Sequence, residues 1–368
     1  MTLEELKKRI VLVHDSFTQL GGAERVVKGF CEMFPEAPLY ALVSDKEVLR
    51  QVTGRECKTS YLQNLYSAGV PFKYLLPLIP PATGSLEFPK GAIILSSSSL
   101  FLKGIFIPEG GLHIQYIHTP PRFLWTDPEY VTQEVPFYLR FFASIYLKRL
   151  KNWDKVQASK VTHFIANSNE VASRIKKYYD KDASVIYPFV DTNFWKPTVG
   201  KGDYFLMGGR LQAHKNYDFV LDTFKKNKKN LKVVGAGRHA EELKKMAPEN
   251  VDFLGRVTDE ELRDLYSGAL GFIFPPIEDA GLMPLEAAAC GTATLAISKG
   301  GSLETVEKGI TGEYFDSYES EEIFTILENW DYKKYETVKL VSHAEKFGKQ
   351  RFFEQITEKI LSIVNNVP

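Results

Sequence analysis

A chain of 368 residues exceeds the size at which a single hydrophobic core usually stops growing, so two domains are expected. Hydrophobic residues make up 44% and charged residues 25%, the balance of an ordinary globular protein. The 46 basic side chains are matched by 46 acidic ones, which excludes the basic surplus that general nucleic-acid binding needs.

RIVLVHD (9–15) reads as a buried strand, and GGAERVVKGFCEMF, opened by Gly21 and Gly22, as the helix after it. AIILSSSS (92–99), LHIQYIH (112–118) and VTHFIANS (161–168) are further strands of this half, and 135–158 reads as one long helix carrying aromatic and basic residues. Prolines and glycines without periodicity place a linker within 188–203. The second half alternates more cleanly. Strands are expected at YFLMGG (204–209), LKVVGAG (231–237), VDFLG (251–255), ALGFIF (269–274) and TATLAI (292–297), with helices between them. Such alternation predicts a parallel sheet with helices on both faces and right-handed crossovers. The final segment, HAEKFGKQRFFEQITEKILSIV, predicts an amphipathic helix that packs back across both domains. The expected division is 1–190, 191–345 and a terminal helix within 346–368.

Cys31, Cys57 and Cys290 form no C-x-x-C pair, so a zinc or redox motif is unsupported, and free thiols fit a reducing compartment. The opening MTLEELKKRI lacks the apolar core of a secretory signal, and no run reaches the ~18 apolar residues of a membrane span. A cytoplasmic protein is expected, one that at most touches a membrane.

In parallel sheets ligands bind at the carboxyl ends of the strands, and two facing domains would make a cleft. Four segments fall at such ends. In PPIEDAGLMPLEAAACGT, Glu278 and Glu286 are eight positions apart, with Gly281 and Pro284 between them. Gly281 lets backbone approach a ligand, a helix starting near Pro284 offers N–H groups to phosphate, and two carboxylates can grip hydroxyls on either side. The alternative is a loop and an ordinary helix with two solvated glutamates. In MGGRLQAHKN, Arg210 suits a forked grip on phosphate and Lys215 a point charge, against the alternative of two surface cations. In HDSFTQLGGAERVV, Gly21 and Gly22 open a second phosphate-ready helix terminus, or a plain glycine turn. In YIHTPPRFLW, His118 ends a strand before two rigidifying prolines, where it either hydrogen-bonds a sugar hydroxyl or serves packing.

The set GGAE after the first strand, GRLQAHK, FLGRVTDEEL, and E-x7-E with GLMPLEAAACGT resembles glycosyltransferase family 4, as does the closing FGKQRFFEQI. LPLIPPATGSLEF, SSSSLFLKG, HIQYIHTPPRFLW and FIANSNEVASRIKKYY are similar to a bacterial subgroup that uses GDP-mannose to build surface polysaccharide on a lipid carrier. The resemblance implies the α/β fold called GT-B: two Rossmann-like doubly wound domains facing across a cleft, with the C-terminal helix crossing back. It implies a retaining hexosyltransferase that moves mannose from GDP-mannose to a saccharide or polyprenyl-diphosphate-linked acceptor, with no cofactor and no metal. Arg210 and Lys215 would hold the donor diphosphate, and Glu286 the ribose. Glu278 and the backbone of Ala280, Gly281, Leu282 and Met283 would hold the transferred sugar, and Gly209 would belong to the donor-binding set. Gly255, Arg256 and Val257 would cradle the base, Gly22 would approach the phosphate or acceptor, and His118 would contact the sugar. Ala280, Ala293 and Asp279 depart from the family's usual aromatic, proline and neutral residues.

The implied chemistry is a same-face displacement in which the leaving diphosphate takes the acceptor proton, with Arg210 and Lys215 stabilising charge. An epimerase of similar fold, and a non-catalytic partner that binds a nucleotide sugar, are the other readings. A dehydrogenase is not supported, because no G-x-G-x-x-G follows the first strand. Segment 135–155, with Arg140, Lys148, Arg149 and Lys151 among aromatics, reads either as a basic amphipathic stretch lying on anionic lipid or as a core helix with a solvated basic face. VPFKYLLPLIPP (70–81) is a second candidate for lipid contact.

Overall fold

The computed structural model describes residues 1–126 and 136–366. Residue 135, where the long helix was expected to start, and residues 367 and 368 of the terminal segment lie outside the described residues. The chain divides into two compact units, Met1–Tyr187 with Phe353–Pro368, and Pro188–Phe352.

The first unit is built on a seven-stranded parallel sheet of β1 (Ile10–Phe17), β2 (Leu39–Ser44), β3 (Lys58–Thr59), β4 (Ile93–Ser98), β5 (Leu112–Ile117), β6 (His163–Ala166) and β7 (Ala183–Val185), in the order β3-β2-β1-β4-β5-β6-β7. All eight residues of β1 are buried, as a central strand covered on both faces requires. Its register sets Leu12 opposite Leu39 on one side and Leu95 on the other. Helix α1 (Gly22–Met33) follows β1. Helix α2 (Arg140–Ala158) starts after one tight turn at Phe137–Leu139, and α3 (Asn169–Tyr179) follows β6. Val11, Val13, Leu42, Ile94 and Phe101 are at the centre of one core, closed by Leu147 and Leu150 of α2.

The second unit carries a six-stranded sheet of β8 (Tyr204–Gly208), β9 (Asn230–Val234), β10 (Val251–Gly255), β11 (Gly271–Phe274), β12 (Thr294–Ile297) and β13 (Gly312–Phe315), in the order β10-β9-β8-β11-β12-β13, again all parallel. Helices α4 (Asp218–Lys226) and α5 (Leu282–Ala289) belong to this unit, whereas the terminal α6 (Lys349–Asn366) starts in it and from Phe353 onward belongs to the first. Phe205, Met207, Val233, Ile273 and Leu295 form the sheet's contribution to this core. Residues 188–203, read from the sequence as a linker, belong to the second unit, where Val190 and Trp195 are buried.

Both sheets are doubly wound. Strand order reverses between β1 and β4 in the first and between β8 and β11 in the second, the places where such sheets open a crevice at their carboxyl ends. Among the described residues, no helix is long and apolar enough to cross a membrane.

Candidate functional site

The β8/β11 reversal in the second unit gathers the principal candidates. The chain leaves β8 through Gly209, at φ +128, where a Cβ would meet the Tyr217 hydroxyl at 2.9 Å. Arg210 comes next. It is exposed and has no hydrogen bond or ion pair among the described residues. A short turn at Ala213–Lys215 ends on Asn216, which takes the left-handed conformation at φ 55 that asparagine tolerates. Tyr217 is buried and donates from its hydroxyl to the Gly208 carbonyl at 2.9 Å, which closes the loop on its own strand.

This turn drives Lys215 inward, where its ammonium pairs with the Glu278 carboxylate. Glu278 lies on the loop between β11 and α5, sixty-three positions further on. The side chain of Lys215 is buried, while that of Glu278 is about a third exposed. A buried ammonium needs an anion beside it, because its desolvation is otherwise uncompensated.

Beyond Glu278 the loop runs through half-buried Ala280 to Gly281, which starts α5 at φ 59. No side chain caps that terminus, so the first N–H groups of the helix, near Leu282 and Met283, are donors without a side-chain acceptor. Glu286 lies inside α5 and is buried rather than solvated, unlike an ordinary surface glutamate. Burial, and then the charge of Glu286, pushes the Cys290 thiol up to about 12, so this cysteine is no nucleophile at neutral pH.

Sequence reasoning missed the glycines that shape these loops. Gly301 donates its N–H to the Glu278 carbonyl at 2.8 Å. A Cβ on it would lie 2.7 Å from the Asp279 carbonyl oxygen and 2.8 Å from the Ala280 nitrogen. Its φ of −63° suits any residue, so only the close approach demands glycine. On the other side of β8, a Cβ on Gly235 would sit 1.9 Å from the Gly209 oxygen, and one on Gly237 would sit 1.9 Å from the Leu211 oxygen. Gly235 also donates to Gly255 at 2.7 Å, so the ends of β8, β9 and β10 are tied backbone to backbone. Arg256 is exposed and Val257 half-buried on the turn after β10. The signal for these roles was present as the runs GAG and KGGS, but glycine pairs read alone as turns.

Gly301→Ala is expected to keep the fold and to push the Glu278–Gly281 loop by a few tenths of an ångström. The loss in kcat/KM should be about tenfold, short of the ~10²-fold that a 1 Å misplacement brings. Steady-state kinetics beside a thermal melt checks it; unchanged kinetics would show that the loop's position does not matter.

Gly22 and His118 belong to the first unit. Gly22 is the first residue of α1, after an extended Gly21. His118 follows β5, and its Nε2 is 2.8 Å from the Ser97 hydroxyl. Burial, and then the nearby His14, pushes His118 down to about 3, which leaves it neutral at physiological pH. His14 donates from Nδ1 to the Ser97 carbonyl at 3.0 Å, with its Nε2 3.7 Å from the buried Glu24. Asp15, not singled out from the sequence, sits at this unit's own β1/β4 reversal. Its carboxylate accepts from the Ser98 hydroxyl at 2.9 Å and from the N–H groups of Ser99 at 2.6 Å and Leu100 at 3.1 Å. Burial raises its pKa, against the pull of His14 and these donors. The reversal point of the first sheet is thus filled by protein donors, whereas that of the second leaves Arg210 and a helix terminus open.

Residues 190–346 match the family described as Glycosyl transferases group 1. The second unit is thus similar to group 1 glycosyltransferase domains. It contains Arg210, Lys215, Glu278 and Glu286. The chain is 32% identical over 178 residues to the O-antigen chain mannosyltransferase RfbU of Salmonella typhimurium, covering 44% of this chain and 48% of that protein. It is 27% identical over 199 residues to the alpha-1,3/1,6-mannosyltransferase ALG2 of Dictyostelium discoideum, covering 40% of this chain and 47% of that one. The matches thus span about half the length of these curated relatives. Among solved structures, Anabaena HepE in complex with UDP-glucose superposes with a TM-score of 0.70 at 18% identity, over 96% of this chain and 99% of that one. That likeness shows the fold: two parallel-sheet Rossmann-like domains of the GT-B class, with the stretch that matches the family model lying in the second unit.

Proposed function

We propose that this chain is a retaining glycosyltransferase that moves mannose from GDP-mannose to a saccharide acceptor carried on a polyprenyl diphosphate, at the cytoplasmic side of the membrane. The observation that carries the reading is a buried ammonium, Lys215, held by Glu278 at the β8/β11 reversal of a unit similar to group 1 domains, three residues ahead of an uncapped helix start.

In this reading Glu278 is the counter-ion of Lys215 until a donor arrives. The diphosphate then supplies the anion, and Glu278 is released to accept hydrogen bonds from the sugar. Arg210 and the N–H groups of α5 complete the grip on the diphosphate, with no metal asked for. Glu286 binds the ribose hydroxyls, Gly209 and Ala280 to Met283 line the sugar, and Gly255, Arg256 and Val257 face the base. Gly22 and His118 serve the acceptor side, His118 as a neutral hydrogen-bonding group. Charge on the departing diphosphate is met by groups already in place, the most effective form of electrostatic catalysis. The mannose assignment is supported by the printed activities of RfbU and ALG2, and the cytoplasmic one by three free cysteines.

The test is a donor panel by calorimetry, with EDTA present throughout. GDP-mannose is expected to bind more tightly than UDP-glucose or ADP-glucose, and the mannosylated product should keep the α configuration by NMR. Preference for UDP-glucose would replace the donor assignment. Binding with turnover in the absence of any acceptor would point to an epimerase instead.

A further inference from the structure

Helix α2 neither behaves as a core helix nor buries one clean face. Its C-terminal half packs through Leu147, Leu150, Asp154 and Ala158, but its start stands out in solvent. Phe137 is 80% exposed, Phe141 71% and Phe142 67%, with Tyr138 and Ile145 also exposed. Among the described residues these rings pair edge to face, Phe137 with Tyr138 at 5.5 Å between centroids and Phe141 with Phe142 at 5.7 Å. Isolated exposed apolar residues are ordinary on a protein surface, whereas a contiguous aromatic cluster marks an interaction site.

The cluster continues beyond α2. The Tyr146 hydroxyl reaches the Pro77 carbonyl at 3.4 Å, which sets the tight turns of Phe72–Leu78 beside the helix, and there Tyr74 and Leu78 are exposed. Further along α2, Trp153 lines an open groove of about 450 Å³ with Pro80, Pro81, Ile105 and the exposed Phe106, and Lys160 stands at this groove. Within the described stretches 62–86 and 136–160 the exposed charges are all basic. Between Pro136 and Lys160 the basic residues are Arg140, Lys148, Arg149, Lys151, Lys155 and Lys160. The one acid in that span, Asp154, is buried and paired with Lys103. No acid occurs between Leu62 and Leu86.

From this arrangement we infer that the aromatic start of α2, together with Phe72–Leu78, is a docking surface for an anionic lipid bilayer, with the rings entering the interface and the cations meeting the headgroups. Aromatic and aliphatic side chains bordered by Lys and Arg on one face have the chemistry that holds a monotopic surface to negatively charged lipid. A protein partner would leave the run of exposed cations along 136–160 unexplained. The inference goes beyond the transferase reading and stands or falls separately, because lipid binding is read without donor or acceptor.

The full chain is sedimented with vesicles of phosphatidylglycerol and phosphatidylcholine, and with vesicles of phosphatidylcholine alone. Wild type is expected to pellet with the first and to stay in solution with the second. The double variant Phe141→Ser, Phe142→Ser should lower partitioning by at least about tenfold. Lys148→Ser with Arg149→Ser should lower it by about fivefold per cation, an effect that high salt mimics. All four residues are exposed, so melting midpoints should not move; if the aromatic variant misfolds, the charge variant carries the test. Wild type remaining in solution with anionic vesicles would overturn the inference. So would a wild-type dimer in analytical ultracentrifugation that the aromatic variant dissociates without any lipid binding, since the patch would then join two copies of the chain.

Discussion

Lys215→Ala is expected to lower turnover about 10²–10³-fold while leaving the protein folded. The size follows from where the ammonium sits. At 4 Å, two unit charges interact by about 1 kcal/mol in water and about 4 kcal/mol at the effective dielectric near a protein surface. Lys215 is buried and Arg210 is exposed, so removing Lys215 should cost more of the transition state than removing Arg210. Stability should change little, because the Glu278 carboxylate left behind is partly exposed and can be solvated. Glu278→Gln makes the converse case. It strands a buried ammonium in the free protein, so it should destabilise the fold and yet bind a nucleoside diphosphate at least as well as wild type. Single-turnover release of GDP from GDP-mannose, beside a thermal melt, separates the two effects. Activity of Lys215→Ala within about threefold of wild type would remove the lysine from the chemistry.

The Lys215–Glu278 pair also shows where sequence reading stops. Both residues stood out locally, one for its place after a strand and the other for its spacing to Glu286. They were assigned to different parts of a ligand, and nothing in a local pattern joins side chains sixty-three positions apart. The central strands β1, β4, β5, β8 and β11 were legible because central parallel strands are near-continuous apolar runs. β2, β3, β7 and β13 were not read. β3 and β7 are two and three residues long at the sheet edge, where half-exposure erases the pattern. β13, GEYF, is half-buried in its middle. Asp15 looked like the polar end of a strand, and its role depends on amides eighty-four and eighty-five residues away. For α2, the mixture of rings and cations allowed both a core helix and a lipid-facing one. Only the tertiary structure shows that, among the described residues, the rings at its start are exposed while Leu147, Leu150, Asp154 and Ala158 further along are buried.

Asp154→Asn should cost the first unit about 3–5 kcal/mol, the loss typical of breaking a buried ion pair from one side. Asp154 on α2 and Lys103, on the turn after β4, are 2.9 Å apart, and both side chains are fully buried. The second carboxylate oxygen accepts from Trp125 Nε1 at 2.9 Å and from the Tyr179 hydroxyl at 2.7 Å. Asparagine keeps an acceptor for those two donors, so the substitution isolates the charge. The Lys103 ammonium would be left with the Leu100 carbonyl at 2.8 Å and the Tyr179 ring at 5.2 Å, neither of them an anion. At about 2–4 °C per kcal/mol for a domain of this size, the melting midpoint should fall by roughly 6–20 °C. Adding Lys103→Met to Asp154→Asn should restore much of the loss, because it removes the stranded charge and keeps an unbranched apolar stem in the same space. If the second substitution instead adds its own loss in full, the two charges are not coupled and the pair is incidental. The consequence reaches the β1/β4 reversal. The segment from Ser98 to Lys103 is held at one end by the Asp15 carboxylate and at the other by this ion pair. Loosening the Lys103 end should therefore raise amide exchange at Ser99 and Leu100, whose N–H groups Asp15 accepts.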